Sequence, residues 1–118
     1  MCLANHAAID AMPPDATAGE TFEAARRVAD ESGCGDILSG RSGYTTGIGI
    51  SPSWVQHMSI NIVPGNGTVF ESGMIFHVCT VLQKPNIFGV GESSTVVITE
   101  TGTENLTAEM AAGPFLVD

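Results

Sequence analysis

The chain has 118 residues, of which 43% are hydrophobic and 14% charged, and its formal net charge is −9. This composition is too apolar for a disordered segment and predicts one small folded domain. Only four residues are basic, too few for the clustered positive surface that nucleic acids and anionic membranes require. We therefore expect neither as a partner. The low content of charged residues also indicates a surface partly covered by a partner or by further chain.

Cysteine usage predicts reduced thiols. The chain has three cysteines, Cys2, Cys34 and Cys79. Their number is odd and no two of them have CxxC spacing, so they form neither a disulfide framework nor a zinc-finger pattern. Reduced thiols favour a cytoplasmic protein. Residues 1–12 lack the basic start and long apolar stretch of a signal peptide. No apolar run approaches the ~18 residues needed to span a bilayer.

Two helices are predicted in the first third of the chain. Helical spacing places four residues on one face of the first helix: Leu3, Ala7, Ala8 and Ala11. Pro13-Pro14 is expected to end this helix. Thr17 and Glu20 have the spacing of a capping box at the start of the second helix. Gly33 and Gly35 are expected to end this helix. Its apolar side is formed by Phe22, Ala25, Val28 and Ala29.

From residue 40 onward the helical pattern disappears, and four segments have strand character. They are residues 45–50, 59–63, 74–82 and 94–99, with a strong Pro-Gly-Asn-Gly turn at 64–67. The pattern predicts an α+β fold in a single domain. Its expected parts are a helical part at residues 1–35, a sheet part at 40–107 and a tail at 108–118.

Residues 40–54, GRSGYTTGIGISPSW, contain a cluster of glycines. A P-loop would need a lysine after the glycines, and none is present. The dinucleotide-binding pattern GxGxxG lacks its third glycine after Gly47-Ile-Gly49. Spacing alone therefore favours glycines that permit close packing and bends in a buried strand.

The order of the motifs resembles the creatinase and aminopeptidase P family. Members carry a Gly-His-Gly-Ile-Gly strand, then Pro-Gly-Met-Val-Phe-Thr-Ile-Glu-Pro, then Gly-Val-Arg-Ile-Glu-Asp-Thr-Val-Leu-Val-Thr, and finally Gly-x-Glu-x-Leu-Thr. The corresponding segments here are residues 43–47, 72–80, 89–99 and 102–107. The likeness covers nearly all of residues 5–107. It implies the C-terminal half of a pita-bread domain, with two helices followed by a curved, mainly antiparallel sheet.

The resemblance also implies a pair of divalent metals, held in the family by the histidine and the two glutamates of these motifs. The matching positions here are Tyr44, Cys79 and Ser93, which are poor ligands for hard divalent ions. Glu92 is one residue away, and strand alternation points it to the opposite face. The family's two metal-binding aspartates lie upstream, with no counterpart in this chain. We therefore expect no metal site and no cofactor.

Three shorter matches are similar to the ectoine hydrolase branch of this family. They are Gly43-Tyr44, Pro52-Ser-Trp54 and Met74-x-Phe76-His77. Creatinase and ectoine hydrolase break C–N bonds without the metal pair, using general base catalysis on a small polar or zwitterionic substrate. The resemblance therefore implies a metal-independent C–N bond hydrolase with a small-molecule substrate.

Two histidines are the candidate catalytic bases, His57 and His77, because imidazole titrates near neutral pH. Each has a structural alternative as an ordinary loop or strand histidine. Alternation is expected to place His77 on the face opposite Cys79. His6, on the first helix, is expected at the surface.

Four residues are candidate substrate-binding groups: Tyr44, Trp54, Cys79 and Ser93. Tyr44 would donate a hydrogen bond to substrate, or it is a buried tyrosine with a satisfied hydroxyl. Trp54 would stack on a cationic group or serve packing. Cys79 is a nucleophile only beside an activating histidine and is otherwise a small buried hydrophobe. Ser93 would line the site.

Two other functions stay open. One is an Xaa-Pro dipeptidase or aminopeptidase whose metal ligands lie outside this chain. The other is a non-catalytic binding or assembly module. A polar pocket that contains His57, His77 and Tyr44 would favour an enzyme, whereas a filled apolar interior would favour the module. Because the family builds its site from both halves of the domain, we expect either a homodimer or a missing N-terminal half, in which case the chain is a fragment.

Overall fold

The computed structural model describes residues 2–49, 52 and 60–110. Two helices, α1 (Cys2–Asp10) and α2 (Ala18–Glu31), pack on one face of a five-stranded sheet. The strands lie in the order β2-β1-β3-β4-β5, and each neighbouring pair is antiparallel. The predicted α+β class is confirmed. The strands are β1 (Gly43–Thr45), β2 (Asn61–Ile62), β3 (Ile75–Lys84), β4 (Phe88–Ile98) and β5 (Thr103–Asn105).

Both ends of α2 follow from local chemistry, as predicted. The Thr17 hydroxyl accepts from the Glu20 N–H at 3.2 Å, and the Glu20 carboxylate accepts from the Thr17 N–H at 2.8 Å. The Thr17 hydroxyl also donates to the Glu20 carboxylate at 2.8 Å, and the two bonds that the carboxylate accepts from Thr17 lower the pKa of Glu20. At the other end Gly33 has φ 71°, and the N–H groups of Gly33 and Cys34 donate to Asp30 and Ala29, a Schellman motif. Neither helix in the described part of the chain has the length and apolar character to cross a bilayer.

The buried face of α1 differs from the predicted one. Leu3 is 69% exposed, and Ala7 and Ala11 are only half-buried. Small and apolar residues surround much of this helix, so spacing alone did not select the face that packs. A hydrogen-bonding residue, Asn5, lies on the buried face and contacts the sheet. His6 is exposed, as expected. The buried residues of this segment are Ala4, Asn5, Ala8, Ile9 and Met12.

The core lies between the helices and one face of the sheet. Alternate residues of β3 and β4 point into it, and Phe70 meets Phe76 edge-to-face with ring centroids 4.8 Å apart. Burial of one such aromatic or β-branched side chain contributes about 1.5–3 kcal/mol. The core residues from the two strands are Phe76, Val78, Val96 and Ile98, and they belong to one buried cluster with Phe22 and Ala25 of α2.

Two strand predictions need correction, and one strand of the sheet was not predicted. The first strand covers residues 43–45 rather than 45–50, because the chain leaves the sheet after Thr46, and Ile48 is 94% exposed. β4 begins at Phe88 and extends the hairpin with β3 beyond the predicted strand at 94–99. β5 was not predicted as a strand. Only three residues long, it has too little alternation to stand out from a turn.

Glu92 places a carboxyl group in the region between the sheet and the helices. It pairs with the buried Thr80 across β3 and β4, so it faces the helices, as alternation predicted. Both carboxylate oxygens are buried and have no hydrogen-bond partner among the described residues. A buried carboxylate without a partner loses its hydration and gains nothing in return.

Replacement of Glu92 by an apolar residue should therefore stabilise the fold. We expect Glu92→Ile to raise the free energy of unfolding by about 1–3 kcal/mol, measured by urea denaturation. Glu104→Ile is the matched control, because Glu104 is an exposed strand residue. It should change stability by less than about 0.5 kcal/mol. A loss of stability in Glu92→Ile would contradict this interpretation.

Candidate functional site

The site lies on the distal face of the sheet, the face turned away from α1 and α2. Residues 76, 78 and 80 of β3 are buried toward the helices, and the residues between them are half-buried on the other side. β4 alternates in the same way. The structure therefore brings four predicted site residues to one face: Tyr44, His77, Cys79 and Ser93.

Tyr44 and His77 form the centre of this group. They are direct partners across β1 and β3, and their ring centroids are 5.2 Å apart at an interplanar angle of 41°. The guanidinium carbon of Arg41 lies 5.0 Å from the centroid of the Tyr44 ring. A cation at this distance is attracted by the negative face of the ring. Arg41 was not predicted as a site residue, because only the fold shows that it contacts Tyr44.

Cys79 and Ser93 lie beside this pair. They are direct partners across β3 and β4. The expectation that His77 lies opposite Cys79 is wrong: residues two apart in a strand share a face, and both side chains are half-buried on the distal face. Ser93 is exposed. The four side chains thus form two neighbouring cross-strand pairs on the same face of the sheet.

Burial sets the protonation of the two titrating groups. Desolvation lowers the pKa of His77 below its ordinary value of 6.5, which favours the neutral imidazole at neutral pH. Burial raises the pKa of the Cys79 thiol, and the positive charge of Arg41 opposes part of that rise. A protonated thiol is a weak nucleophile and a weak metal ligand. His77 is therefore the group on this face suited to accept a proton.

Gly43 allows β1 to approach β3. A Cβ atom at this position would lie 2.6 Å from the carbonyl oxygen of His77 and 3.0 Å from the Ile62 side chain. Only glycine fits, which agrees with the interpretation of close packing for this part of the glycine-rich stretch. Gly47 and Gly49 are exposed and lie outside the sheet.

A buried hydrogen-bond network lies directly beneath the Cys79–Ser93 pair. Asn5, which is fully buried, accepts from the Thr80 hydroxyl at 3.3 Å and donates to the Ser94 hydroxyl at 3.4 Å. Thr80 and Ser94 immediately follow Cys79 and Ser93 in their strands. The network therefore fixes the position of α1 relative to β3 and β4 beside the site. Sequence reasoning missed Asn5, although a lone amide among alanines was a usable signal.

Two predicted site residues, Trp54 and His57, lie outside the described residues.

Two clefts of about 440 and 470 Å³ lie away from the distal-face residues described above, one beside the start of α2 and one at the β3–β4 turn. Neither is lined by a predicted site residue. Among residues 2–49, 52 and 60–110, no three side chains of His, Cys, Asp or Glu come together as a metal site.

The lowered pKa of His77 predicts a pH dependence of stability. The unfolded chain binds a proton at this residue more readily than the folded chain, so stability falls as pH drops below about 6.5, toward the folded-state pKa. His77→Gln should lose less stability between about pH 7.5 and about pH 5 than the parent chain does, measured by urea denaturation at each pH. The same loss in both proteins would contradict the assigned direction.

Comparison with known proteins agrees with this fold. Residues 2–100 match the metallopeptidase family M24 (Peptidase_M24). An Xaa-Pro dipeptidase of Lactobacillus delbrueckii subsp. lactis is 32% identical over 104 residues, which are 88% of this chain and 27% of that protein. The chain thus spans little more than a quarter of this relative.

Solved structures give the same result. Dipeptidase PepE from Mycobacterium ulcerans superimposes with a TM-score of 0.77 at 30% identity, over 88% of this chain and 26% of that one. Prolidase from Pyrococcus furiosus superimposes with a TM-score of 0.76 at 31% identity, over 88% of this chain and 29% of that one. The fold is therefore part of the pita-bread fold that the motifs implied. The chain belongs to metallopeptidase family M24, within the creatinase and aminopeptidase P superfamily.

Proposed function

We propose that this chain forms one wall of the substrate site of an Xaa-Pro peptidase-type hydrolase, which cleaves a C–N bond in a small peptide. The observation that carries the proposal is the Tyr44–His77 pair, 5.2 Å apart on the distal face. The relatives named as Xaa-Pro dipeptidases support this substrate class. In this proposal the other walls come from a further segment of chain or from a second copy.

The metal pair implied by the family does not fit the residues of the distal face. The three ligand positions carry Tyr44, Cys79 and Ser93, and burial keeps the thiol protonated. Hard divalent ions prefer carboxylate and imidazole ligands. We therefore assign no catalytic step to a metal held by the described residues of this chain.

The residues of this chain can orient a substrate and move a proton. The neutral imidazole of His77 has a ring nitrogen that accepts a proton from an attacking water. The Tyr44 hydroxyl can donate a hydrogen bond to a substrate oxygen. The Cys79 thiol and the Ser93 hydroxyl add uncharged polar lining. The unpaired thiols of Cys34 and Cys79 support a reducing, cytoplasmic setting.

A second candidate is a metal-independent C–N bond hydrolase of the creatinase or ectoine hydrolase type. The observation that favours it is that all three ligand positions hold weak ligands, two of them paired across β3 and β4. The substrate would then be a small polar or zwitterionic molecule, and His77 would act as the base. Trp54 and His57 would belong to the same site.

Hydrolysis of Xaa-Pro dipeptides by the protein that carries this chain tests the proposal. Release of proline should be measured with and without added Mn²⁺, in the parent and in two variants. His77→Gln should lower kcat by about 100-fold or more, and Tyr44→Phe should lower kcat/KM by about 10-fold. His6→Gln, on the exposed side of α1, is the matched control and should match the parent.

The outcomes separate the candidates. Turnover of Xaa-Pro dipeptides that does not depend on His77 and Tyr44 would contradict the roles given to them. Turnover of ectoine-like compounds, unaffected by chelation, would favour the second candidate. Dipeptide binding without turnover would favour a non-catalytic binding module.

A further inference from the structure

The first half of β4 is an open edge of the sheet. On its outer side β5 pairs with residues 96–98, and Leu106 donates its N–H to Thr95. No other described residue pairs with β4 on this side, so residues 88–93 have a strand neighbour only in β3. Most of these residues are exposed, and Glu92 is half-buried. An exposed strand edge of this kind can accept a further strand.

The direction of the backbone groups at this edge follows from the register. Cys79 donates its N–H to Ser42, and the carbonyl of Val81 accepts from Ser39. The odd-numbered residues of β3 thus turn their backbone groups away from β4, and their partners in β4 turn theirs away from β3. Each of these partners presents one N–H and one C=O outward, with no partner among the described residues. They are Gly89, Gly91 and Ser93.

We propose that a second copy of this chain pairs with this edge, antiparallel and about a two-fold axis at Gly91. This register places Gly91 opposite the same residue of the other copy, and Gly89 opposite Ser93. All three outward residues of each copy then lie in hydrogen-bonded pairs, which gives about six N–H···O bonds. An identical strand suits the edge because a two-fold axis sets every outward donor against an outward acceptor.

The charge distribution favours this edge as the contact between two copies. Two chains with a net charge of −9 repel each other, but residues 85–91 contain no charged side chain. The carboxylate of Glu92 points to the helices and its oxygens are already buried, so pairing removes little further hydration from it. Phe88 and Val90 are 47% and 46% exposed, and the added strand would cover part of this apolar surface.

This inference is independent of the proposed function, because it uses backbone groups and needs no substrate. A two-fold axis of this kind is perpendicular to the sheet, so the distal faces of the two copies become continuous. The second copy would therefore extend the candidate site at its Ser93 end.

The test is amide hydrogen exchange, followed by NMR on the full chain in dilute and concentrated samples, with the mass of each measured by light scattering. We expect a dimer in the concentrated sample, where the Gly89, Gly91 and Ser93 amides should exchange about tenfold or more slowly than in the dilute one. Val90 and Glu92 are internal controls, because their N–H groups point to β3. Their exchange should slow far less.

A proline variant tests the same edge by a second route. Gly89→Pro removes an outward N–H and leaves the hydrogen bonds between β3 and β4 in place, so it should be monomeric where the parent is dimeric. Gly89→Ala is the matched control, since it keeps the N–H and its Cβ would meet no atom within 4 Å. It should dimerise like the parent.

Four results would each overturn the pairing. They are a parent chain that stays monomeric, a dimer in which the three amides exchange as fast as in the dilute sample, equally slow exchange of these amides in both samples, and dimerisation of Gly89→Pro equal to that of Gly89→Ala. The third result would mean that another segment of the same chain covers the edge. The exchange measurement needs no variant, so a misfolded Gly89→Pro protein leaves the test intact.

Discussion

The register between β3 and β4 is the constraint on which the site depends. Packing of Phe76 and Val78 with Val96 and Ile98 against the helices fixes one face of this long antiparallel pair. Because side chains alternate with a period of two, the same packing sends His77, Cys79 and Ser93 to the distal face. A slip of one residue would exchange the faces, burying Ser93 and moving Glu92 to the site. The hydrophobic core therefore selects which polar residues are available for chemistry.

The polar groups inside the core contribute in opposite ways. Asn5 joins Thr80 to Ser94 and so connects α1 to β3 and β4 at one point. These bonds add specificity to the register between the two strands. Glu92, beside this network, has no partner among the described residues and opposes folding. The strand keeps this carboxylate one residue away from the position of a family metal ligand, on the wrong side of the sheet to serve as one.

The sequence predicted the features that depend on neighbouring residues. The capping box of Thr17 and Glu20, the glycine that ends α2 and the orientation of Glu92 all follow from short-range chemistry, and the structure contains them. Features that depend on distant contacts were missed. The buried face of α1 is selected by Asn5 and its partners more than seventy residues away. Arg41 became a site candidate only when the fold placed it over Tyr44. His77 and Cys79 share the distal face because side chains two residues apart in a strand point to the same side.

Cys79 and Ser93 are neighbours on the distal face, whereas Glu92 faces the helices. Cys79 donates its N–H to Ser42 on the β1 side, so Cys79 and Ser93 form a non-hydrogen-bonded pair, the closer of the two antiparallel arrangements. The most direct test is mild oxidation of Ser93→Cys and Glu92→Cys, each in a Cys2→Ser, Cys34→Ser background, with thiols counted by mass spectrometry. We predict an intramolecular disulfide with Cys79 in the Ser93→Cys protein and none in the Glu92→Cys protein. A disulfide in the Glu92→Cys protein, with free thiols in the Ser93→Cys protein, would contradict the account.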